Sequence, residues 1–568
     1  MAQHVVIIGA VALGPKAACR FKRLEPDSTV TMIDKSNVIS YGGCGIPYYV
    51  SGDISEPNEL RSTIYHMVRD EGFFRNVKGV DVMARTEALS IDRTAKTVHV
   101  KNLDTGDEQD ISYDKLVLAT GSRPRRLPLP GADHKNVHVV ADYNDAIAIR
   151  EKIAKGQVGR AAIIGAGFIG LEMAEAFADM WGVETTVVEV FDQILPNLVS
   201  SNLAEMGMKQ MQDNGVVFYL GEKVSAIEET ADGLNLKTDK RDIPCDIVIM
   251  SAGVIPNSEL ASGAGLEVSN PGGAIVVNEY MQTTDPDIYA GGDNVLMPNL
   301  VSGKSGFYPL GSLANRQGRV IGSNLAGLQQ TFPGAVGSFA VKMFECSVAG
   351  TGLSAAAAEK AGFDVDTAYV VQFDRAHFYP EKELLHIELV FEKKTGRVLG
   401  LQALGGKGLS AVGRVDAVAS LLPYKPTVHD ISNLELAYSP PFASAMDVLN
   451  AAGNVAENIL AGRNKAISGQ EFDELWAHRD TNNICFLDCR EVEDARSTVE
   501  ADPEHWLNIP HHQIKACLDQ IPKDRPVVLV CNTGVRSFEA QLGLNAAGFN
   551  DTVNVQGGMS GLRNRGKF

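Results

Sequence analysis

The 568-residue sequence predicts an α/β protein made of two Rossmann-like βαβ units, an α+β domain and a small α/β domain. Three patterns carry that prediction. Two short β-branched runs each enter a glycine turn and then a helix-like stretch; the glycine fingerprints stop beyond about residue 325; and a fresh set of apolar strands begins after about residue 468. Hydrophobic residues at 45% and charged residues at 21% are those of a folded chain, which excludes disorder as the main state. Acidic residues outnumber basic ones by 70 to 52, and a net charge of −18 repels phosphates, so nucleic-acid binding is excluded. No run of eighteen apolar residues exists to span a membrane. The start, Met1 to Gly14, lacks a basic leader and an Ala-x-Ala cleavage site, and reads as a strand entering a turn. Eight cysteines in so long a chain are too sparse for a disulfide framework and predict reduced thiols in the cytoplasm. No metal site is expected.

The first unit runs His4-Val5-Val6-Ile7-Ile8 into Gly9-Ala10-Val11-Ala12-Leu13-Gly14. The second runs Ala161-Ala162-Ile163-Ile164 into Gly165-Ala166-Gly167-Phe168-Ile169-Gly170. Each is followed by a strand ending in an acid, Asp34 at 25 residues from Gly9 and Glu189 at 24 from Gly165. About 20 residues is the spacing at which a carboxylate reaches a ribose hydroxyl. The glycines let backbone approach a pyrophosphate at a helix N-terminus, where free N–H groups and the dipole favour anions. The second fingerprint is complete, whereas Val11 stands at the first unit's middle glycine. Glu189 bonds a 2′-hydroxyl and repels a 2′-phosphate, and Val190 to Gln193 bring no arginine, so the second site is expected to prefer NADH. The expected boundaries are 1–150 with 275–325 for the first domain, 151–274 for the second, 330–455 for the third, 456–467 for a linker and 468–568 for the last.

Asp34 with Lys35, Leu118-Ala119-Thr120-Gly121-Ser122, and Ile288-Tyr289-Ala290-Gly291-Gly292-Asp293 resemble the flavin-contact motifs of two-dinucleotide-fold flavoprotein disulfide reductases. The resemblance covers about residues 1–455. It implies FAD on the first unit, with Asp293 at the ribityl chain, a nicotinamide nucleotide on the second around Gly165 to Gly170, Glu189 and Gly253, and a dimerisation domain at 330–455. The chain has no cysteine pair of the glutathione-reductase kind. Its Ser40-Tyr41-Gly42-Gly43-Cys44-Gly45-Ile46-Pro47 resembles the single-cysteine branch, which holds coenzyme A disulfide reductases, NADH peroxidases and oxidases, and NADH-dependent persulfide reductases. Flanking glycines leave Cys44 approachable, unlike a core cysteine. The resemblance implies that Cys44 attacks a disulfide or sulfane sulfur and is reduced through the flavin. It also implies a homodimer with a shared active site, completed by tyrosines of the second subunit. Tyr438, before Ser439-Pro440-Pro441, matches one; a family Tyr-Tyr-Pro stretch is here Phe378-Tyr379-Pro380, so one hydroxyl is missing. Interface packing is the competing role for both tyrosines. Coenzyme A phosphates would meet Lys16, Arg20 and Arg23, which recur on one helix face, together with Ser40 and Gly43; a solvated basic face competes, and Met446 replaces the family lysine before Asp447.

After the strand Val527-Val528-Leu529-Val530, Cys531-Asn532-Thr533-Gly534-Val535-Arg536-Ser537 resembles the active loop of rhodanese sulfurtransferases. Inward N–H groups and the Arg536 guanidinium would stabilise a sulfur anion on Cys531. Asp488-Cys489-Arg490-Glu491 and Gly557-Gly558-Met559 support that likeness over a phosphatase Cys-x5-Arg loop. The expected function is NADH-driven, FAD-dependent reduction of small-molecule thiol derivatives (coenzyme A persulfide, polysulfide, coenzyme A disulfide) at Cys44, with sulfur transfer by Cys531. The alternatives are an NADH peroxidase or oxidase cycling through a Cys44 sulfenic acid, and a non-enzymatic sulfane-sulfur carrier or sensor.

Overall fold

Val5, Val6 and Ile7 in the first β-branched run, and Ala161, Ala162 and Ile163 in the second, are buried, as strands covered on both faces must be. In the computed structural model, which describes residues 2–140, 142–406 and 408–566, these runs are the central strands of two five-stranded parallel sheets. The first sheet orders Ile288–Ala290, Lys115–Leu118, His4–Ile8, Thr29–Ile33 and Asp81–Met83. The second orders Val137–His138, Ile247–Met250, Arg160–Ile164, Glu184–Glu189 and Val217–Leu220. In both, the strand before the glycine turn pairs in parallel with the strand that ends in the acid. The shared design is therefore topological as well as sequential. Each half also carries a three-stranded antiparallel sheet, Thr86–Asp92 to Glu108–Ser112 and Val224–Thr230 to Asp242–Cys245.

The chain divides into two compact units, Met1–Asp192 with Gly215–Ala335, and Gln193–Asn214 with Val336–Phe568. The helix Ser201–Asp213, which falls inside the span expected for the second domain, thus packs with the later part of the chain. In that second unit an antiparallel sheet orders Phe339–Met343, Cys346–Gly352, Val398–Gly406, Leu384–Glu392 and Val365–Phe373. The helices Leu409–Leu421 and Val448–Leu460 accompany it. The last part is a five-stranded parallel sheet in the order Ala466–Ile467, Thr552–Val555, Val527–Val530, Cys485–Asp488, Trp506–Asn508.

The span expected as a linker, 456–467, is structured at both ends. Asp447 caps the helix that runs to Leu460, accepting from the Leu449 N–H, and Ala466–Ile467 joins the last sheet beside Asn554 and Val555. A buried polar cluster ties the last sheet to the antiparallel one. The Tyr369 N–H donates to Gln556 Oε1 at 2.6 Å, the Tyr369 hydroxyl meets His386 Nδ1 at 2.6 Å, and Asn564 Nδ2 meets His386 Nε2 at 3.0 Å. Arg565, almost wholly buried, pairs with Glu205 at 2.5 Å and with Asp473. The short polar connection 461–465 does not foretell so fixed a junction; these long-range polar contacts make it.

Candidate active site

The two glycine turns are built alike because each third glycine lies against the carbonyl of the first. A Cβ on Gly14 would sit 1.9 Å from Gly9 O, and a Cβ on Gly170 would sit 1.9 Å from Gly165 O. Gly9 and Gly165 themselves have φ of +110° and +105°, a region L side chains rarely adopt. The acids close each turn in the same manner: the Ala10 N–H donates to Asp34 Oδ2, and the Ala166 N–H to Glu189 Oε2, both at 2.7 Å. The Phe191 N–H reaches Glu189 Oε1 at 3.0 Å. Burial pushes Asp34 up, opposed by the Ser36 and Ala10 N–H groups and by Lys35, which is exposed. The turns differ in the middle. A Cβ on Gly167 would meet nothing within 4 Å, which leaves a backbone cradle open to a ligand, and the same holds for Gly121 and Gly253. Val11 and Ala12 fill the corresponding part of the first turn half-buried, and Phe168 and Ile169 follow the second.

Around the first turn the loops are locked from below. The Asn257 side chain donates to Thr120 O, Asn294 Nδ2 donates to Thr120 Oγ1 at 2.8 Å, and the Gly292 N–H donates to Gln317 Oε1 at 2.6 Å, while Ala119 follows the strand Lys115–Leu118. Asp293 stands apart from that network. Burial pushes its carboxyl up to about 6, and among the described residues no donor reaches it. A half-buried carboxylate with nothing to hold its charge suits a ligand that brings hydroxyls.

Cys44 sits in the short helical turn Gly43–Gly45 ahead of the helix Ile46–Ser51, and it is exposed. A Cβ on Gly311, the first residue of the helix Gly311–Leu325, would lie 3.7 Å from its Sγ. The partial positive charge of that helix end favours a thiolate. The other neighbours oppose it: desolvation by surrounding protein pushes the Cys44 thiol up, and the carboxylates of Glu172 and Asp293 push the same way. Glu172 is itself raised to about 7 by burial, with the Tyr48 hydroxyl at 3.5 Å opposing. Ser40, expected near the substrate, is buried with φ of +51°, and its N–H holds Ala10 O at 2.8 Å. It ties the cysteine loop to the glycine turn instead of facing solvent, whereas Gly43 is exposed.

The second sulfur lies in a different setting. Cys531 is buried at the end of the strand Val527–Val530, and its Sγ accepts from the Gly534 N–H at 3.1 Å and the Ser537 hydroxyl at 3.2 Å. Gly534 has φ of +93° and begins the helix Val535–Ala546, so the loop turns its N–H groups toward the sulfur. Arg536 is half-buried in the first turn of that helix.

Comparison with known proteins agrees with this geometry. Residues 3–309 match the pyridine nucleotide-disulphide oxidoreductase family, residues 338–449 its dimerisation domain, and residues 471–565 a rhodanese-like domain. The chain belongs to the pyridine nucleotide-disulphide oxidoreductase family. That family uses FAD and NAD(P)H. An NAD(P)H coenzyme A polysulfide/persulfide reductase of Pyrococcus horikoshii is 34% identical over 79% of this chain and 97% of its own length. An NADH oxidase of Methanocaldococcus jannaschii is 31% identical over 81% of this chain and 100% of its own. The solved NAD-dependent persulfide reductase of A. fulgidus superposes with a TM-score of 0.92 at 37% identity, over 98% of this chain and 99% of that one. The resemblance read from the motifs around Asp34, Cys44 and Cys531 thus identifies the family and its fused rhodanese-like domain.

Within this oxidoreductase the dimerisation-domain tyrosines share one region. The loop carrying Tyr379 and the segment after Tyr438 meet where the Ala376 N–H donates to Pro440 O at 3.3 Å and the Ser444 hydroxyl to Arg375 O at 3.0 Å. Tyr438 is exposed, and Tyr379 is half-buried under the Arg375 guanidinium. The three basic residues of the first helix are divided: Lys16 and Arg23 are exposed, while Arg20 Nε donates to Ser323 Oγ at 3.0 Å. Sequence reading passed over Glu172 and Tyr48. Their only signals were a carboxylate two residues after Gly170 and a tyrosine four after Cys44, and neither indicates the contact between them.

Proposed function

We propose that this enzyme is an NADH-driven, FAD-dependent reductase of sulfane sulfur and disulfide substrates, coenzyme A persulfide, polysulfide and coenzyme A disulfide among them, with Cys531 supplying or relaying sulfur. One observation carries the reading: Cys531 Sγ is held by an N–H and a hydroxyl in a loop made for a sulfur anion, within a chain whose other part is an oxidoreductase. Reduction of oxygen or peroxide has no use for such a loop.

FAD, when bound by the first unit, supplies Cys44 with the electron pair taken from NADH. The chain's residues do the rest. Asp34 and Glu189 fix the two ribose ends, Gly9, Gly14, Gly165, Gly167 and Gly170 admit the pyrophosphates, and Asp293 receives hydroxyls. Glu189, positioned by two N–H groups, would bond a 2′-hydroxyl and repel a 2′-phosphate, which favours NADH. Cys44 attacks the sulfane or disulfide sulfur of the substrate, a thiolate leaves, and Cys44 then sheds the bound sulfur as hydrosulfide or thiol. Glu172, which burial raises to about 7 and whose charge acts on Cys44, is the candidate acid for the leaving thiolate. Lys16 and Arg23, exposed on the first helix, attract the substrate's phosphates. The exposed Phe378, Tyr438 and Phe442 suit coverage by a second copy of the chain, which would bring Tyr438 and Tyr379 to a shared site.

The second reading, an NADH oxidase or peroxidase using a Cys44 sulfenic acid, is favoured by the Methanocaldococcus relative's name. One stopped-flow experiment separates them: flavin bleached by NADH is expected to reoxidise with persulfide and not with peroxide or oxygen. Reoxidation by peroxide alone replaces the reductase reading with the second one. Cys531→Ser should slow polysulfide turnover while sparing preformed small persulfides, and equal loss of both refutes the relay.

A further inference from the structure

A second thiol stands beside Cys531 and has no part in the mechanism above. The strands Cys485–Asp488 and Val527–Val530 pair in parallel with the register Cys485↔Val527, Leu487↔Leu529 and Asp488↔Val530. The ladder continues one residue further, since the Cys489 N–H donates to Val530 O at 2.8 Å. Cys489 therefore falls opposite Cys531. Their side chains also share a face: Cys485, Leu487 and Cys489 line one apolar cluster with Val527, Leu529 and Cys531, while Phe486, Val528 and Val530 line another. Adjacent strands lie about 4.7–4.9 Å apart. That falls inside the Cα separation of about 4.4–6.8 Å that a disulfide bridges.

We propose that Cys489 is the resolving thiol of Cys531: it displaces sulfane sulfur held on Cys531 as hydrosulfide and closes a Cys489–Cys531 disulfide. The inference rests on the reading that Cys531 accepts sulfane sulfur. In the step, the bond between Cys531 Sγ and the outer sulfur breaks, and the outer sulfur departs with the electron pair. Cys489 Sγ bonds to Cys531 Sγ, and the proton of the Cys489 thiol goes to the departing sulfur. The sulfane sulfur gains two electrons, and the two thiols lose them. Two molecules of a small thiol then reduce the disulfide and leave as their own disulfide, a substrate of the class assigned to Cys44. At rest Cys489 is held as a thiol, by burial first and then by the neighbouring Cys531 and Asp488; Arg536 opposes them.

The test uses the full chain with Cys44→Ser and no NADH, so that no electrons enter from the other cysteine. It is reduced, loaded anaerobically with inorganic polysulfide, desalted and alkylated. The expected result is about one sulfide released per chain and a linked Cys489–Cys531 peptide by mass spectrometry, which a small thiol abolishes. Adding Cys489→Ser or Cys489→Ala should leave the extra sulfur on Cys531 and slow sulfide release at least about tenfold. Release at the unsubstituted rate, or persulfidated Cys531 persisting with Cys489 present and no linked peptide, overturns the proposal. Failure of the underlying reading looks different: Cys531 is then alkylated as a plain thiol in every variant, and the resolving step falls with it. Retained loading of Cys531 in either Cys489 variant shows that the domain still folds.

Discussion

The two reactive-cysteine regions solve opposite problems with the same element. Cys44 is exposed between glycines, and the chain around it works against its thiolate through lost hydration and the charges of Glu172 and Asp293. Cys531 is buried, yet an N–H and a hydroxyl point at its sulfur. In the role proposed for it, Cys44 must be reached by substrate, and the Gly311 helix end favours its thiolate. In the role proposed for it, Cys531 gains from a permanent anion site that can hold a sulfur atom. The difference teaches that accessibility and anion stabilisation are separable properties of a working cysteine.

Removing the exposed sulfur tests the division most severely. Cys44→Ser should cut NADH-dependent sulfur reduction by about ten-thousand-fold or more, ~5.5 kcal/mol of barrier, while thiosulfate–cyanide sulfur transfer by Cys531 persists. Joint loss of both activities would mean that the two regions do not act as separate sites. The next effect is on stability and lies on the other side. Asp488, wholly buried, accepts from the Arg490 N–H, from its guanidinium at 2.7 Å and from the Trp506 indole at 3.0 Å. Asp488→Ala strands the buried Arg490 and should cost the C-terminal domain about 3–5 kcal/mol in chemical denaturation, with flavin bleaching by NADH unchanged. An unaltered denaturation midpoint would contradict the role given to this pair.

How much of this was legible in the sequence follows from the range of each interaction. Gly9 with Asp34, and Gly165 with Glu189, were readable because a strand, a turn, a helix and a second strand lie within about thirty residues and each step has its own periodicity. The loop from Cys531 to Ser537 was readable because the chain itself closes the ring. The charge of Glu172 acting on Cys44 was not, since Glu172 is brought to this region by its contact with Tyr48, 124 residues away in sequence. Cys489 entered as part of the Asp488 to Glu491 motif; the parallel register of two strands is what places it opposite Cys531. The junction of Tyr369, His386, Gln556 and Arg565 was hidden for the same reason, and a stretch expected as a linker became the end of a helix and an edge strand.

A smaller effect probes the second glycine turn, the nucleotide site proposed to serve Cys44. Glu189→Ala removes the carboxylate held by the Ala166 and Phe191 N–H groups and leaves those donors free at the proposed ribose site. The preference for NADH over NADPH, read as the ratio of flavin bleaching rates, should fall by about tenfold, ~1.4 kcal/mol. A ratio that stays fixed would place nucleotide selection elsewhere.

The mildest change sharpens the comparison at the exposed sulfur itself. Between about pH 5 and 9 Glu172 ionises near 7, and its negative charge raises the Cys44 thiol as it forms. Ionisation of the carboxyl therefore opposes ionisation of the thiol, and the thiolate fraction climbs more gradually with pH than a lone thiol's would. Glu172→Gln removes that cause and leaves desolvation and Asp293, so the Cys44 midpoint should move down and the profile should steepen. The measurement is the rate of iodoacetamide alkylation of Cys44 against pH, with Cys531→Ser as background so that one reactive sulfur is followed. A midpoint that rises would show that the Glu172 side chain acts as a hydrogen-bond donor to the thiolate and not as a charge against it. The same substitution should leave sulfur loading of Cys531 untouched at every pH, because nothing that holds that sulfur involves Glu172.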